Sequence, residues 1–171
     1  DPVLGAVLIT ELVQGRSLHA AVDLGLVDRL RVIEQVLTGL CAAHAQGVVH
    51  GDLKPSNILI SRSSVAKICD FGIALGGQAD GLTRPGMLMG SVPSLSPEQL
   101  LGERVDYRSD LCVFGILLYE MLAGAPPFSE SHAGAPDTML ERMQNGRYVP
   151  VRKRVPGTPR YVSPDAAAGI L

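Results

Sequence analysis

The sequence has 171 residues, of which 46% are hydrophobic and 19% are charged, so it predicts one folded domain and excludes a disordered chain. Seventeen acidic and fifteen basic residues leave a net charge of −2, and no block of like charge is long enough to indicate a nucleic-acid partner. The longest uncharged run, residues 35–51, is interrupted by polar side chains and is too short to cross the roughly 30 Å of a bilayer's hydrocarbon core, so no membrane segment is predicted in this chain.

The first part of the chain predicts a strand, a long helix and further short strands. Residues 6–13 are apolar and rich in β-branched side chains, which is typical of a buried strand. A stripe of side chains at three- and four-residue spacings predicts a helix over residues 27–45, with Gly47 as its C-terminal cap. The stripe consists of Leu30, Ile33, Leu37, Leu40 and His44. Residues 48–60 and 65–69 are apolar stretches that predict small strands on either side of a loop.

The second part predicts a long loop and a buried helix. Residues 72–96 have no clean periodicity and contain many Gly and Pro residues, which indicates a long functional loop. Residues 109–123 are apolar on nearly every face, which predicts a helix buried on all sides at the hub of the core. Residues 137–144 predict a short helix, and a loop rich in proline follows it.

Both ends of the chain are expected to be cut. The first residue is Asp1 rather than Met, and no signal segment follows it. Ser163-Pro164-Asp165 is typical of a helix start, yet the chain stops a few residues later.

The cysteines give information about the compartment. Cys41, Cys69 and Cys112 are odd in number, lie far apart and form no CxxC pair, so they indicate neither a disulfide framework nor a zinc site. A reducing cytoplasm is the predicted location. We interpret Cys69, directly before Asp70, as a small buried residue rather than a reactive thiol.

Two motifs carry chemistry. The segment His-Gly-Asp-Leu-Lys-Pro-Ser-Asn ends at Asn57, and the segment Asp-Phe-Gly begins at Asp70. Phosphoryl transfer requires a carboxylate that orients the attacking hydroxyl, a cation near the transferred group and divalent metal that neutralises phosphate oxygens. Asp52 can accept the hydroxyl proton and Lys54 can approach the γ-phosphate of ATP. Asn57 and Asp70 offer hard oxygen ligands for Mg²⁺.

At this point the sequence resembles the serine/threonine protein kinase family, of the eukaryotic-like (Hanks) type and bacterial in style. The matching segments, in order, are residues 10–13 (TELV), the two motifs above, and residues 90–98 (GSVPSLSPE), 108–110 (RSD) and 124–128 (GAPPF). The resemblance implies an α+β fold, mainly α with small β elements, that corresponds to a protein-kinase-like large lobe with the small lobe largely missing. Residues 1–15 would be the last small-lobe strand and the hinge, and residues 16–171 would be the C-terminal lobe, truncated in a late helix.

The resemblance also implies roles for residues at the nucleotide. Asp52 and Lys54 would be catalytic, and Asn57 and Asp70 would bind magnesium. The backbone groups of Glu11 and Val13 would hold adenine, Leu59 would form the floor of its site, and Asp70 would face the phosphates.

Further residues would support this site. His50 would pack under Phe71, and Asp110 would brace the catalytic loop from below. Ser91, in the substrate loop, would contact Lys54 and Asp52 through its hydroxyl, and Glu98 would pair with an arginine late in the domain.

The implied reaction is transfer of the γ-phosphoryl group of Mg-ATP to a Ser or Thr hydroxyl of a protein substrate, since Lys54 stands two residues after Asp52. The missing small lobe or attached domains would be further partners. One alternative is a non-catalytic, pseudokinase-like fragment or binding module. Another is a small-molecule phosphotransferase of the aminoglycoside or choline kinase type, because that family's loop also commonly contains His-Gly-Asp.

The sequence departs from the kinase pattern in two respects. The ten residues before Glu11 contain no glycine-rich loop, strand-three lysine or helix glutamate, so we expect the isolated chain to have weak activity or none. Gly51 replaces the usual arginine, which predicts that phosphorylation of Thr83 or Ser94 is not an obligatory switch.

Overall fold

The computed structural model describes residues 9–71, 95–128 and 139–155. Within these ranges three short antiparallel strands form one sheet, in the order β1 (Gly15–Ser17), β2 (Ile58–Ser61) and β3 (Ala66–Ile68). The helices are α1 (Leu26–Ala45), α2 (Pro97–Leu101), α3 (Tyr107–Ala123), α4 (Met139–Gln144) and α5 (Val151–Arg154). Short 3₁₀ turns lie at Leu18–Ala20 and Pro55–Asn57. The described part is mixed α/β and mainly helical, in agreement with the predicted fold class.

Helix α1 forms where the periodicity predicts it, but its buried face differs from the predicted stripe. Leu30 and Leu37 are 46% and 38% exposed. The buried side chains are Val32, Ile33, Val36 and Leu40. This helix has apolar side chains on more than one face, so two overlapping stripes fit the helical spacing, and contacts with β3 and α3 decide which one is buried. Gly47 follows the helix with a φ of +70°, as expected of a C-terminal glycine.

Helix α3 is the hub of the core, as predicted. A capping box begins it, in which the Asp106 side chain accepts hydrogen bonds from the first turn and the Ser109 hydroxyl accepts one from the Asp106 backbone N–H. No residue from 109 to 123 is exposed, and Ile116 and Leu117 are each 1% exposed. The main hydrophobic cluster joins α3 to α1 and β2 through Leu40, Ile58 and Leu117.

The predicted strand over residues 6–13 is wrong in its described part, because residues 9–13 belong to no strand. Ile9 and Leu12 are 90% and 86% exposed. The sheet begins instead at β1, where Gly15 lies opposite Ser61. A β-branched run becomes a strand only when a partner strand pairs with it, and β2 pairs with the residues after the run. Residues 6–8 lie outside the described ranges.

Later elements follow the predictions in part. Helix α4 ends at Gln144, as expected, but the proline-rich segment after it contains α5, which was predicted as loop. Pro150 stands directly before this helix, a position where its missing N–H group costs no hydrogen bond. Residues 72–94 of the predicted loop and the predicted helix start at residues 163–165 are outside the described ranges. In the parts of the chain that the structure describes, none of the helices has the length and apolarity needed to cross a bilayer.

Candidate active site

The structure brings three of the predicted site residues together in the loop between α1 and β2. The Lys54 ammonium group lies 2.6 Å from Oδ2 of Asp52. Asn57 donates through Nδ2 to the backbone oxygen of Asp52 at 2.9 Å and to its Oδ2 at 3.2 Å. The Asp52 and Lys54 side chains remain 40% and 42% exposed. The Asp52 carboxylate is therefore held by two donors and still open to a substrate.

Local sequence explains why this loop has a fixed shape. Leu53 is 3% exposed and anchors the loop in the core. Pro55 begins the 3₁₀ turn, where its fixed φ is favourable, and the turn leads directly into β2. Because Leu53 points into the core, Asp52 and Lys54 on either side of it are free to reach solvent.

The Asp110 carboxylate, on α3, holds the backbone that precedes Asp52. It is 1% exposed and accepts hydrogen bonds from the backbone N–H groups of His50 and Gly51, each at 2.8 Å. His44, at the end of α1, lies 2.8 Å from the same carboxylate through Nε2. A buried carboxylate is tolerated when its oxygens are hydrogen-bonded, as they are here.

His50 connects the loop to the Asp70 segment. It is fully buried, and its ring lies 4.7 Å from the ring of Phe71. The backbone N–H of Asp52 donates to Nδ1 of His50 at 3.1 Å, so Nε2 carries the proton that is donated to the backbone oxygen of Cys69 at 3.0 Å. Both ring nitrogens are occupied, which makes His50 a structural residue rather than a base.

Asp70 directly follows Cys69, whose backbone is hydrogen-bonded to Asn57. The backbone N–H of Cys69 donates to the backbone oxygen of Asn57 at 2.9 Å, and the Cys69 thiol lies 3.5 Å from Oδ2 of Asp70. Asp70 is exposed and has a φ of +63°, which is uncommon outside glycine and concentrates at functional sites.

The two side chains fit a hard divalent cation. Since Nδ2 of Asn57 is directed at Asp52, its Oδ1 is the atom suited to a metal, and Asp70 adds a carboxylate. Within the described ranges no group of three or more His, Cys, Asp and Glu side chains forms a metal cluster. Asn57 and Asp70 together offer one amide oxygen and one carboxylate to such a cation.

Among the residues that the resemblance assigns to adenine, the structure shows a contact that the sequence did not indicate. Glu11 forms an ion pair with Lys67 of β3, in which the Lys67 Nζ lies 2.6 Å from Oε1 and 2.5 Å from Oε2 of Glu11. Val13 and Leu59 are half-buried, and Leu59 lies opposite Lys67 in the sheet. The segment that carries Glu11 and Val13 is thus tied to the strand that leads to Asp70.

The three cysteines differ in exposure, and Cys69, predicted to be buried, is half-buried. Burial, together with the hydrogen bond to Asp70, raises the pKa of the half-buried Cys69 thiol. Burial and the nearby Glu98 carboxylate raise the pKa of Cys112 to about 11. Cys41 is exposed on α1.

The substrate side is described only in part. Ser91 lies outside the described ranges, and so do Thr83 and Ser94. Glu98 is half-buried in the first turn of α2. The next residue, Gln99, was not singled out from the sequence, yet its Nε2 donates to the backbone oxygen of Gly51 at 2.7 Å. A glutamine three residues after Ser96 was a sequence signal for a capping box, but not for this second contact.

Comparisons with known proteins identify the family of this chain. A family model described as the protein kinase domain matches residues 5–167. Serine/threonine-protein kinase pkn2 of Myxococcus xanthus is 36% identical over 166 residues, covering 92% of this chain and 20% of the relative. Probable serine/threonine-protein kinase PknB of Bifidobacterium longum is 42% identical over 134 residues, covering 75% of this chain and 19% of the relative.

A third relative, serine/threonine-protein kinase PknL of Mycobacterium tuberculosis, is 39% identical over 134 residues, covering 74% of this chain and 33% of the relative. The chain thus spans between 19% and 33% of the length of these three relatives.

Proposed function

This chain belongs to the protein kinase family, and on that premise we propose that it carries the catalytic large lobe of a serine/threonine protein kinase. The reaction would transfer the γ-phosphoryl group of ATP to a Ser or Thr hydroxyl of a protein substrate. The observation that carries the proposal is the Asp52 carboxylate, held by Lys54 and Asn57 and open to solvent. In domain terms, residues 16–171 would form the C-terminal lobe and residues 1–15 the segment entering from the hinge.

In this reaction Asp52 acts on the attacking hydroxyl. Its carboxylate accepts a hydrogen bond from the substrate O–H and so aims the oxygen at the γ-phosphorus. As the new O–P bond forms and the bond from the γ-phosphorus to the bridging oxygen of ADP breaks, the proton passes to the Asp52 carboxylate.

Lys54 supplies positive charge at the same point. Its ammonium group lies 2.6 Å from Asp52 and its side chain is 42% exposed, and in the proposed reaction the ammonium group would contact the transferred group as well. A fixed cation where negative charge develops lowers the barrier, because the site need not reorganise during the reaction. Asp52 and Lys54 are therefore the proposed catalytic pair.

The nucleotide would be held by residues on the neighbouring elements. Asn57 and Asp70 would hold Mg²⁺, which neutralises charge on the phosphate oxygens when bound. The backbone of Glu11 and Val13 would hold adenine over Leu59. Ser91, in the substrate loop, would contact Lys54 and Asp52.

The test is phosphoryl transfer from ATP by the protein as expressed from its own gene. We expect phosphoserine or phosphothreonine in a protein substrate, identified by mass spectrometry, and magnesium-dependent ATP binding measured by calorimetry. D70N should abolish the magnesium-dependent binding of ATP. D28N is the matched control, because Asp28 is an exposed carboxylate on α1 outside the site.

Two outcomes would contradict the proposal. A protein that neither binds Mg-ATP nor transfers phosphate is a non-catalytic binding module. Transfer to an aminoglycoside or choline, with none to protein, identifies a small-molecule phosphotransferase.

A further inference from the structure

We propose that Gln99, on α2, is a positioning residue that fixes the peptide plane directly before Asp52. This inference rests on the proposed function, since it gives Asp52 its catalytic role. The plane in question joins Gly51 to Asp52, and its oxygen and its N–H group belong to these two residues respectively.

Both polar atoms of this plane have a partner, one on α2 and the other in the same loop. Nε2 of Gln99 donates to the Gly51 oxygen at 2.7 Å, and the Asp52 N–H donates to Nδ1 of His50 at 3.1 Å. On the other side of Gly51, its own N–H donates to Asp110 at 2.8 Å. The oxygen of this plane is therefore held from α2, whereas α3 holds the preceding plane, between His50 and Gly51.

The contact from α2 matters because residue 51 is a glycine. Gly51 has a φ of +73°, a conformation that glycine adopts readily, and glycine also has more alternative conformations than any other residue. Without a partner for its oxygen, the plane between Gly51 and Asp52 could turn and redirect the Asp52 side chain. The Gln99 amide removes that freedom.

Both ends of the Gln99 amide have a hydrogen-bond partner, which fixes its orientation. Its Oε1 accepts from the backbone N–H of Ser96 at 2.9 Å, so its NH₂ group must face the Gly51 oxygen. The Ser96 hydroxyl in turn accepts from the Gln99 N–H at 3.4 Å, which completes a capping box at the start of α2. One side chain thus both caps α2 and holds the loop.

Two variants separate these roles. In Q99E the carboxylate keeps the acceptor for the Ser96 N–H but has no donor for the Gly51 oxygen, so the cap survives and the loop contact is lost. In S96A the cap hydroxyl is lost while the Gln99 amide remains. S96A removes one oxygen atom from a fully buried side chain.

For Q99E we expect kcat to fall about tenfold, because small displacements of a catalytic group are costly, while KM for ATP changes by less than about twofold. Tm should fall as well, because the oxygen of buried Gly51 then faces a carboxylate oxygen in place of its donor. For S96A we expect a lower Tm and a kcat close to that of the wild type. A Q99E protein with unchanged kcat would overturn the proposal, and so would an S96A protein whose kcat falls as far as that of Q99E.

A second readout is independent of catalysis. Amide hydrogen exchange at Asp52 should be faster in Q99E than in the wild type and unchanged in S96A. If the wild type transfers no phosphate, the proposed function fails while this measurement still decides whether Gln99 holds the loop. Equal exchange rates in Q99E and the wild type would overturn the positioning role.

Should Q99E not fold, Q99K replaces it. The lysine ammonium can donate to the Gly51 oxygen but cannot accept from Ser96. We expect Q99K to keep kcat and lose thermal stability, and the reverse pattern would overturn the proposal.

Discussion

Oδ1 of Asp110 lies 2.8 Å from the backbone nitrogen of Gly51, so the central helix of the core holds the residue next to the proposed catalytic carboxylate. The stability of the core and the geometry of the site therefore depend on one side chain. Removing it leaves the buried N–H groups of His50 and Gly51 without their acceptor.

We expect D110A to lower the free energy of unfolding by about 3 kcal/mol, the usual cost of stranding buried polar partners. Chemical denaturation measures it, with D28N as the control for loss of an exposed carboxylate. A D110A protein as stable as D28N would show that Asp110 does not support the loop.

The pair between Glu11 and Lys67 makes a second prediction. Both side chains are more than one third exposed, at 66% and 39%, so the pair should contribute only about 0.5 kcal/mol. We expect E11Q and K67M each to weaken ATP binding about twofold, because the pair ties the segment that carries Glu11 and Val13 to β3. The double variant should bind ATP no more weakly than either single variant.

The control for this cycle is the ion pair of Arg16 and Asp23, which is also exposed and 2.7 Å long but does not involve the adenine segment. D23N should leave ATP affinity unchanged. Additive losses in the Glu11 and Lys67 double variant would mean that the two side chains act separately.

Cys112 predicts a pH dependence of stability. Its pKa in the folded chain is raised to about 11 from an ordinary value of 9.0, chiefly by burial. The unfolded chain therefore releases the thiol proton at lower pH than the folded chain does. The contribution of the protonated Cys112 thiol to the free energy of unfolding is therefore complete below pH 9 and is lost as the pH rises towards 11.

Denaturation curves at pH 8, 10 and 11 test this point by comparing the wild type with C112A. The difference in unfolding free energy between the two proteins should shrink as the pH rises. A constant difference across this range would show that the Cys112 thiol titrates alike in the folded and unfolded chains.

Gly15 predicts a steric effect in the sheet. A Cβ atom added there would overlap with the backbone oxygen of Ile60, on the paired strand, so β1 and β2 would have to separate. We expect G15A to lower Tm by several degrees. G25A is the matched control, because an added Cβ meets nothing within 4 Å there and glycine and alanine differ by about 1 kcal/mol or less at a helix N-cap. Equal Tm values for the two variants would contradict this account of β1.

The elements that could be predicted are those that leave a pattern within a short stretch of sequence. Helix α3 is predictable because apolar residues occupy nearly every face of 109–123. The proximity of Asp52, Lys54 and Asn57 is predictable because they stand at short spacings within one loop. The buried face of α1 could not be predicted, since Leu37 and Val36 both fit a helical stripe and only contacts with β3 and α3 distinguish them.

The contacts that escaped prediction join residues far apart in the chain. Gln99 and Gly51 are 48 residues apart, and Lys67 and Glu11 are 56 residues apart. Neither pair leaves a periodic signal, because each contact exists only after α2 and β3 have packed beside the loop and the adenine segment.

The most direct test of the account is the effect of D52N on phosphoryl transfer at saturating ATP. We predict that kcat falls at least about a hundredfold, since the asparagine cannot accept the proton, while the Kd for Mg-ATP stays within about twofold of the wild type. A D52N protein that phosphorylates its substrate at the wild-type rate would contradict the account.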